Sequence, residues 1–90
     1  MKRIQANITG RVQGVGFRNF VWQQARAAGV HGFVRNTRDG SVEVVAEGEE
    51  PALEQLRQKL WKGPLLSRVD DVAIDESPAT GEFTDFQVRY

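Results

Sequence analysis

The segment GRVQGVGFRNF, residues 10–20, holds the residue types that most directly suggest chemistry. Gly14 and Gly16 allow unusual backbone dihedrals and let a ligand approach the backbone N–H groups closely. Arg18 follows, and its planar guanidinium can hold two oxygens of a phosphate at once. A helix is predicted to begin beside it, and the free N–H groups of a helix N-terminus favour an anion. These features together predict a site for an anion such as phosphate.

The same segment matches neither of the common nucleotide motifs. A Walker A loop requires Gly-Lys-Ser/Thr, whereas this chain has Gly16-Phe17-Arg18. The dinucleotide pattern requires glycine at position 19, where Asn19 stands. Nucleotide binding is therefore not favoured. On these residues alone it stays open whether the glycines serve an anion or only shape a tight turn beside a solvated arginine.

The elements that must position this loop follow from the apolar pattern of the first half. Residues 3–12 alternate between apolar and polar types, which predicts a half-buried strand. An apolar helical face then runs from Phe17 to Ala28, and Gly29 is a natural C-terminal cap. VHGFVRN predicts a second strand, Asp39-Gly40 a tight turn, and SVEVVAEG a third strand.

The second half adds one helix and two strands. The helix is predicted to begin at Pro51, to bury a stripe of leucines and to stop at Gly63. SRVDDVAIDES predicts a fourth strand with a bulge at Asp70-Asp71, and FTDFQVRY a fifth. The order β-α-β-β-α-β plus a C-terminal strand predicts an α+β fold, a ferredoxin-like α/β sandwich with two helices on one face of a mainly antiparallel sheet. We expect one domain over residues 1–90.

This topology has a consequence for the loop. Strands one and two are joined by a helical crossover, so we expect them to run parallel, with their C-terminal ends at the same edge of the sheet. Residues 13–18 and the end of the second strand, Arg35 and Asn36, are therefore predicted neighbours. Ligands of open α/β sheets commonly bind at such strand ends.

Composition limits the class of protein. The 90 residues include no cysteine, which excludes disulfides and thiolate–metal sites. No signal peptide is apparent, and no apolar run approaches the roughly 20 residues of a membrane span, so we expect a cytoplasmic protein. All acidic residues lie from Asp39 onward, while the first 38 residues carry only basic charges. That asymmetry agrees with an anion site, although packing of oppositely charged elements explains it more simply.

The stretches GRVQGVGFR and GFVRNTRDGSVEV together resemble the acylphosphatase family. The resemblance continues through the second helix to GPLLSRVDDV and TGEFTDFQVRY, so it covers essentially the whole chain. It implies hydrolysis of the carboxyl–phosphate bond of an acyl phosphate, releasing a carboxylate and inorganic phosphate without metal or cofactor. By motif position, Arg18 would bind the phosphate and Asn36 would orient the attacking water. The backbone of Gln13, Gly14, Val15, Gly16 and Phe17 would complete the phosphate-binding loop.

Other chemically capable residues have simpler explanations. His31 is five positions before Asn36, which places the two on opposite faces of a strand. Asp39 beside a glycine is expected to shape a turn. Trp22 and Trp61 are expected at the rim of the core. The acidic run from Asp70 to Glu76 is expected on a solvated strand edge, with metal binding remote.

Two binding modules share this order of elements, since fold alone does not give function. RNA-recognition domains stack bases on aromatic residues of strands one and three. Here those strands present polar residues and Glu43, Val45 and Glu47 outward, so RNA binding is not expected. A non-catalytic, phospho-ligand-binding regulatory domain stays open, and Asn36 discriminates because a pure binder needs no water-orienting amide. We expect a monomer that binds a small acyl phosphate and is inhibited competitively by inorganic phosphate, without nucleic acid or membrane partners.

Overall fold

The computed structural model describes residues 1–90 and contains seven elements. In chain order they are β1 (Lys2–Arg11), α1 (Phe17–Ala28), β2 (His31–Asn36), β3 (Val42–Gly48), α2 (Glu50–Lys62), β4 (Arg68–Pro78) and β5 (Phe86–Arg89). This order confirms the predicted ferredoxin-like α+β fold with an added C-terminal strand. No helix is both long enough and apolar enough to span a bilayer.

The five strands form one mixed sheet in the order β4-β1-β3-β2-β5. Both β1 and β2 pair antiparallel with β3, so they run parallel to each other on either side of it. The edge strand β5 pairs parallel with β2. The C-terminal ends of β1 and β2 therefore lie at the same edge of the sheet, as predicted from the crossover.

The core lies between one face of the sheet and both helices. Ile4, Ala6 and Ile8 of β1 are fully buried there and belong to one cluster with the apolar faces of the helices. The buried helix residues are Phe17, Val21 and Ala25 of α1 and Leu53, Leu56 and Leu60 of α2. These are the positions that the helical periodicity predicts.

The predicted bulge lies in the edge strand β4. Thr9 of β1 faces Asp71, whereas the next residue, Gly10, faces Val69, so Asp70 has no partner in β1. Gly10 has φ 124° at this point, and a Cβ there would lie 2.2 Å from the Arg68 carbonyl oxygen. Only glycine meets both conditions, because L side chains rarely adopt this φ and no space remains for a Cβ.

The outer face of the sheet differs from expectation. The alternation of β3 indicates that Val45 and Glu47 point away from the helices, towards solvent. Both are nonetheless buried, at 7% and 5% exposure. Residues 79–85, between β4 and β5, fold back over Glu47, whose carboxylate accepts hydrogen bonds from the backbone N–H groups of Thr80 and Gly81. A long-range contact of this kind leaves no periodic signal in the strand it covers.

Candidate active site

A cavity of about 200 Å³ lies at the edge of the sheet where β1 and β2 end. Its lining residues are Val12, Gly14, Gly16, Phe17, Arg18, Asn19, Asn36, Val88 and Tyr90. Arg18 at the start of α1 and Asn36 at the end of β2 thus share one cavity. The prediction that the topology brings these residues together is confirmed.

The loop before α1 owes its shape to two left-handed glycines. Gly14 has φ 73° and Gly16 has φ 79°, and a Cβ at either position would meet nothing within 4 Å. Glycine is therefore required by the backbone conformation and not by crowding. Gly16 is the N-cap of α1, no side chain caps this terminus, and the first turn has no acidic residue. The terminal N–H groups consequently have no side-chain acceptor and are open to an anion.

Arg18 lies in the first turn of α1 and is partly buried. Ten ion pairs link charged groups elsewhere in the chain, but none of them includes Arg18. Its guanidinium carbon lies 4.5 Å from the centroid of the ring of Tyr90, a residue that is 99% exposed, so this contact is weak and does not neutralise the charge. The positive charge therefore remains available to a ligand in the cavity.

Asn36 lines the same cavity, and its side-chain oxygen is unusual. Its Oδ1 is buried and has no hydrogen-bond partner within the protein. Nearly all buried polar atoms in folded proteins are hydrogen-bonded, because leaving one unpaired costs about 1–3 kcal/mol. The protein itself therefore supplies no donor for this oxygen.

Gln13 and Val15 belong to the predicted loop, but their side chains do not line the cavity. The Gln13 Nε2 donates to the carbonyl oxygens of Thr37 and Ser41, each at 2.8 Å. These two bonds join the loop after β1 to the turn after β2, which fixes the separation of Arg18 and Asn36. Val15 is partly buried against the core.

The turn after β2 is held by Asp39, as predicted from the Asp-Gly pair. Its Oδ1 accepts hydrogen bonds from the Thr37 hydroxyl, the Ser41 hydroxyl and the Ser41 backbone N–H. These donors, the Thr37 hydroxyl foremost, lower the pKa of Asp39 to about 2. The Ser41 hydroxyl also lies 3.0 Å from Asn7 Oδ1 of β1, which is the alternative acceptor for its one proton, so the turn lies against β1 as well as β2.

The sequence patterns do not indicate several residues at this site. Val88 and Tyr90, in β5 and just after it, enter the cavity because β5 pairs with β2. The alternation of Phe86, Val88 and Tyr90 places them on one side of a strand but does not say beside which strand they lie. Val12 and Asn19 also line the cavity. The only sequence signal for this is that they stand next to the loop and next to Arg18.

The remaining candidates lie away from this cavity. His31 is the exposed first residue of β2, at the opposite end of that strand from Asn36. Trp22 is partly buried and donates from Nε1 to the Phe86 carbonyl oxygen at 3.1 Å, whereas Trp61 is half exposed. The acidic residues of β4 are exposed, and no group of three or more His, Asp or Glu residues is placed to hold a metal ion.

Known proteins share both this fold and this chain length. The sequence profile of the acylphosphatase family matches residues 4–88. An acylphosphatase of Salinibacter ruber is 52% identical over 88 residues, which is 98% of this chain and 93% of that protein. One from Pasteurella multocida is 50% identical over all of both chains. The crystal structure of acylphosphatase from Bacillus subtilis superposes with a TM-score of 0.97 at 38% identity and covers both chains completely.

These matches, together with the fold, identify a small α+β hydrolase. The chain belongs to the acylphosphatase family, and the resemblance drawn from its two motifs is confirmed.

Proposed function

We propose that this cavity hydrolyses acyl phosphates, with Arg18 and the backbone of residues 13–17 holding the phosphate and Asn36 orienting the attacking water. The observation that carries this proposal is the unpartnered, buried Asn36 Oδ1 in the same cavity as an arginine with no ion pair. The Asn36 oxygen needs a hydrogen-bond donor, and the Arg18 guanidinium needs an anion. A phosphate with a water beside it satisfies both.

The chemistry requires few groups because the leaving group is good. The carboxylate that departs has a conjugate acid of pKa about 4, so it needs no proton from a general acid. Phosphoryl transfer through a loose transition state depends mainly on positioning and charge stabilisation. Arg18 and the loop N–H groups stabilise the equatorial phosphate oxygens as the bond to the acyl oxygen breaks.

Asn36 acts on the water by accepting a hydrogen bond at Oδ1, which points a water lone pair at phosphorus. An amide cannot take up the proton that the water loses. No aspartate, glutamate, histidine or lysine lines the cavity, so that proton passes to a phosphate oxygen of the substrate. The products are the carboxylate and inorganic phosphate. The rate is therefore expected to show no titration of an enzyme side chain near neutral pH.

Further properties belong to the same proposal. The reaction as written needs no metal ion. We also propose a cytoplasmic monomer, which sedimentation and cell fractionation will test.

The test is phosphate release from benzoyl phosphate, with and without a chelator. The parent protein is expected to hydrolyse benzoyl phosphate both with and without the chelator. Asn36→Ala is expected to lose about 100-fold or more in kcat, while its Kd for inorganic phosphate changes little. Asn19→Ala is the matched control, since it removes another asparagine of the same cavity and is expected to keep kcat. Phosphate binding without turnover in the parent would instead identify a non-catalytic regulatory domain.

A further inference from the structure

A second cluster of polar groups, the Glu47 cluster, lies on the outer face of the sheet and consists of Glu47, Arg3, Thr80, Gly81 and Glu82. Glu47 is 5% exposed, and its carboxylate accepts four hydrogen bonds. The donors are Arg3 Nε at 2.7 Å, Thr80 N at 2.9 Å, Thr80 Oγ1 at 3.2 Å and Gly81 N at 3.1 Å. Burial alone would raise the pKa of Glu47, but these donors together lower it, so the carboxylate is charged.

The donors show what the cluster fixes. Two are backbone N–H groups of residues 79–85, a segment with no regular strand or helix. Arg3 adds contacts to the Thr80 hydroxyl and the Glu82 carboxylate and lies over the Phe83 ring at 5.1 Å. Phe83 in turn meets Phe33 of β2, with ring centroids 6.0 Å apart. The segment is thus held to β1, β2 and β3, mainly through one carboxylate and one arginine.

The segment leads directly into the wall of the cavity. Asp85, its last residue, accepts a hydrogen bond from Gly32 N at 2.9 Å, and β5 begins at the next residue. This strand has four residues and one neighbouring strand, so its own ladder is short. It nevertheless places Val88 in the cavity and leads to Tyr90, whose ring lies over Arg18.

We propose that Glu47 is a positioning residue for the phosphate site: it closes residues 79–85 onto the sheet and thereby holds β5, with Val88, in the wall of the cavity that contains Arg18. This inference rests on the function proposed above, because it assigns Glu47 an effect on phosphate binding. Glu47 itself does not touch the ligand. When the carboxylate is altered, the segment loosens, β5 is held less firmly against β2, and the Val88 side of the cavity beside Arg18 is no longer fixed.

The test compares the parent with Glu47→Gln, which keeps the size of the side chain but replaces one acceptor oxygen by an NH₂ group. Kd for inorganic phosphate by calorimetry and KM for benzoyl phosphate are both expected to rise, by about 3- to 10-fold. The kcat is expected to change less, because Asn36, which is proposed to orient the water, belongs to β2 and not to the segment or β5. Hydrogen exchange is expected to quicken in residues 79–90 and not in α2.

A stability control separates positioning from general loosening. Leu56→Val shortens a buried side chain of α2, a helix that packs mainly against α1 and β4, so it is expected to lower the melting temperature and to leave both constants unchanged. If Glu47→Gln binds phosphate with the parental Kd, or if Leu56→Val weakens phosphate binding as much, the proposal is overturned. Because Kd is measured without turnover, a parent that binds phosphate but does not hydrolyse benzoyl phosphate contradicts the proposed function and leaves this test intact.

A measurement on the parent alone covers the case in which Glu47→Gln does not fold. Coupling between two sites is reciprocal, so phosphate binding must in turn protect the segment. Saturating inorganic phosphate is expected to slow hydrogen exchange in residues 79–90 as well as in the loop of residues 13–18. Protection confined to the loop would show that the segment and the site are uncoupled, and the proposal would be wrong.

Discussion

Arg3 and Arg18 are both partly buried arginines in the first quarter of the chain, but their surroundings differ. Arg3 has two carboxylate partners, Glu47 and Glu82, and an aromatic ring beside it. Arg18 has an aromatic ring and no carboxylate. The charge of Arg3 is neutralised within the fold, whereas the charge of Arg18 has no carboxylate partner. This difference is what the proposed phosphate site requires, because a ligand anion can pair only with a charge that the fold has not already neutralised.

The strongest test of this comparison is removal of Arg18. We expect Arg18→Ala to lower kcat/KM for benzoyl phosphate by about 1,000-fold or more, because it removes the fixed charge facing the transferring phosphoryl group. Arg18→Lys restores charge without the planar fork and is expected to recover only part of the loss. The melting temperature is expected to stay near that of the parent, since Arg18 makes no ion pair. An Arg18→Ala protein with more than a tenth of the parental kcat/KM would contradict the comparison.

The next effect concerns the backbone that faces Arg18. Gly16→Ala places a Cβ at φ 79°, a conformation that costs an L residue about 1–2 kcal/mol. The loop is expected to shift, and kcat/KM to fall by about 10- to 100-fold. Gly40→Ala is the matched control, since Gly40 has φ 91° and equally open surroundings but lies outside the cavity. Equal kinetic effects in the two variants would show that the loop geometry is not specific to the reaction.

Removal of Arg3 is expected to affect stability more than turnover, the reverse of what is expected for Arg18. Arg3→Ala removes a charged donor from buried Glu47, and we expect a loss of about 2 kcal/mol in the free energy of unfolding. In urea denaturation the control is Arg35→Ala, which breaks a more exposed pair with Glu43 on the same face of the sheet and is expected to cost 1 kcal/mol or less. Turnover by Arg3→Ala is expected to fall far less than turnover by Arg18→Ala. If Arg3→Ala lost more turnover than Arg18→Ala, the assignment of Arg3 to stability and Arg18 to phosphate binding would be wrong.

The two arginines also illustrate which features of the structure can be predicted from the sequence. Periodicity and capping residues predict every helix and strand, the bulge at Asp70, and the meeting of Arg18 with Asn36, because these follow from local pattern plus one topological rule. They do not predict the burial of Glu47 or the place of Tyr90. Both depend on residues 79–85 folding over a sheet face that reads as solvent-exposed, and on β5 pairing with β2. Contacts between segments that are far apart in the chain produce no repeating apolar pattern in either segment, so periodicity cannot predict them.

The smallest expected effect concerns Asp39, which holds the turn beside Asn36. Its folded-state pKa is about 2, below the ordinary 3.8, so the charged form stabilises the fold above pH 3.8 and that contribution is lost as the pH falls through about 2. The urea midpoint of Asp39→Asn is therefore expected to lie below that of the parent at pH 7, with the gap closing between pH 3.8 and 2. The control is Asp75→Asn, which changes an exposed aspartate of β4. A constant difference between Asp39→Asn and the parent across this range would mean that the turn draws its stability from shape and not from the charge.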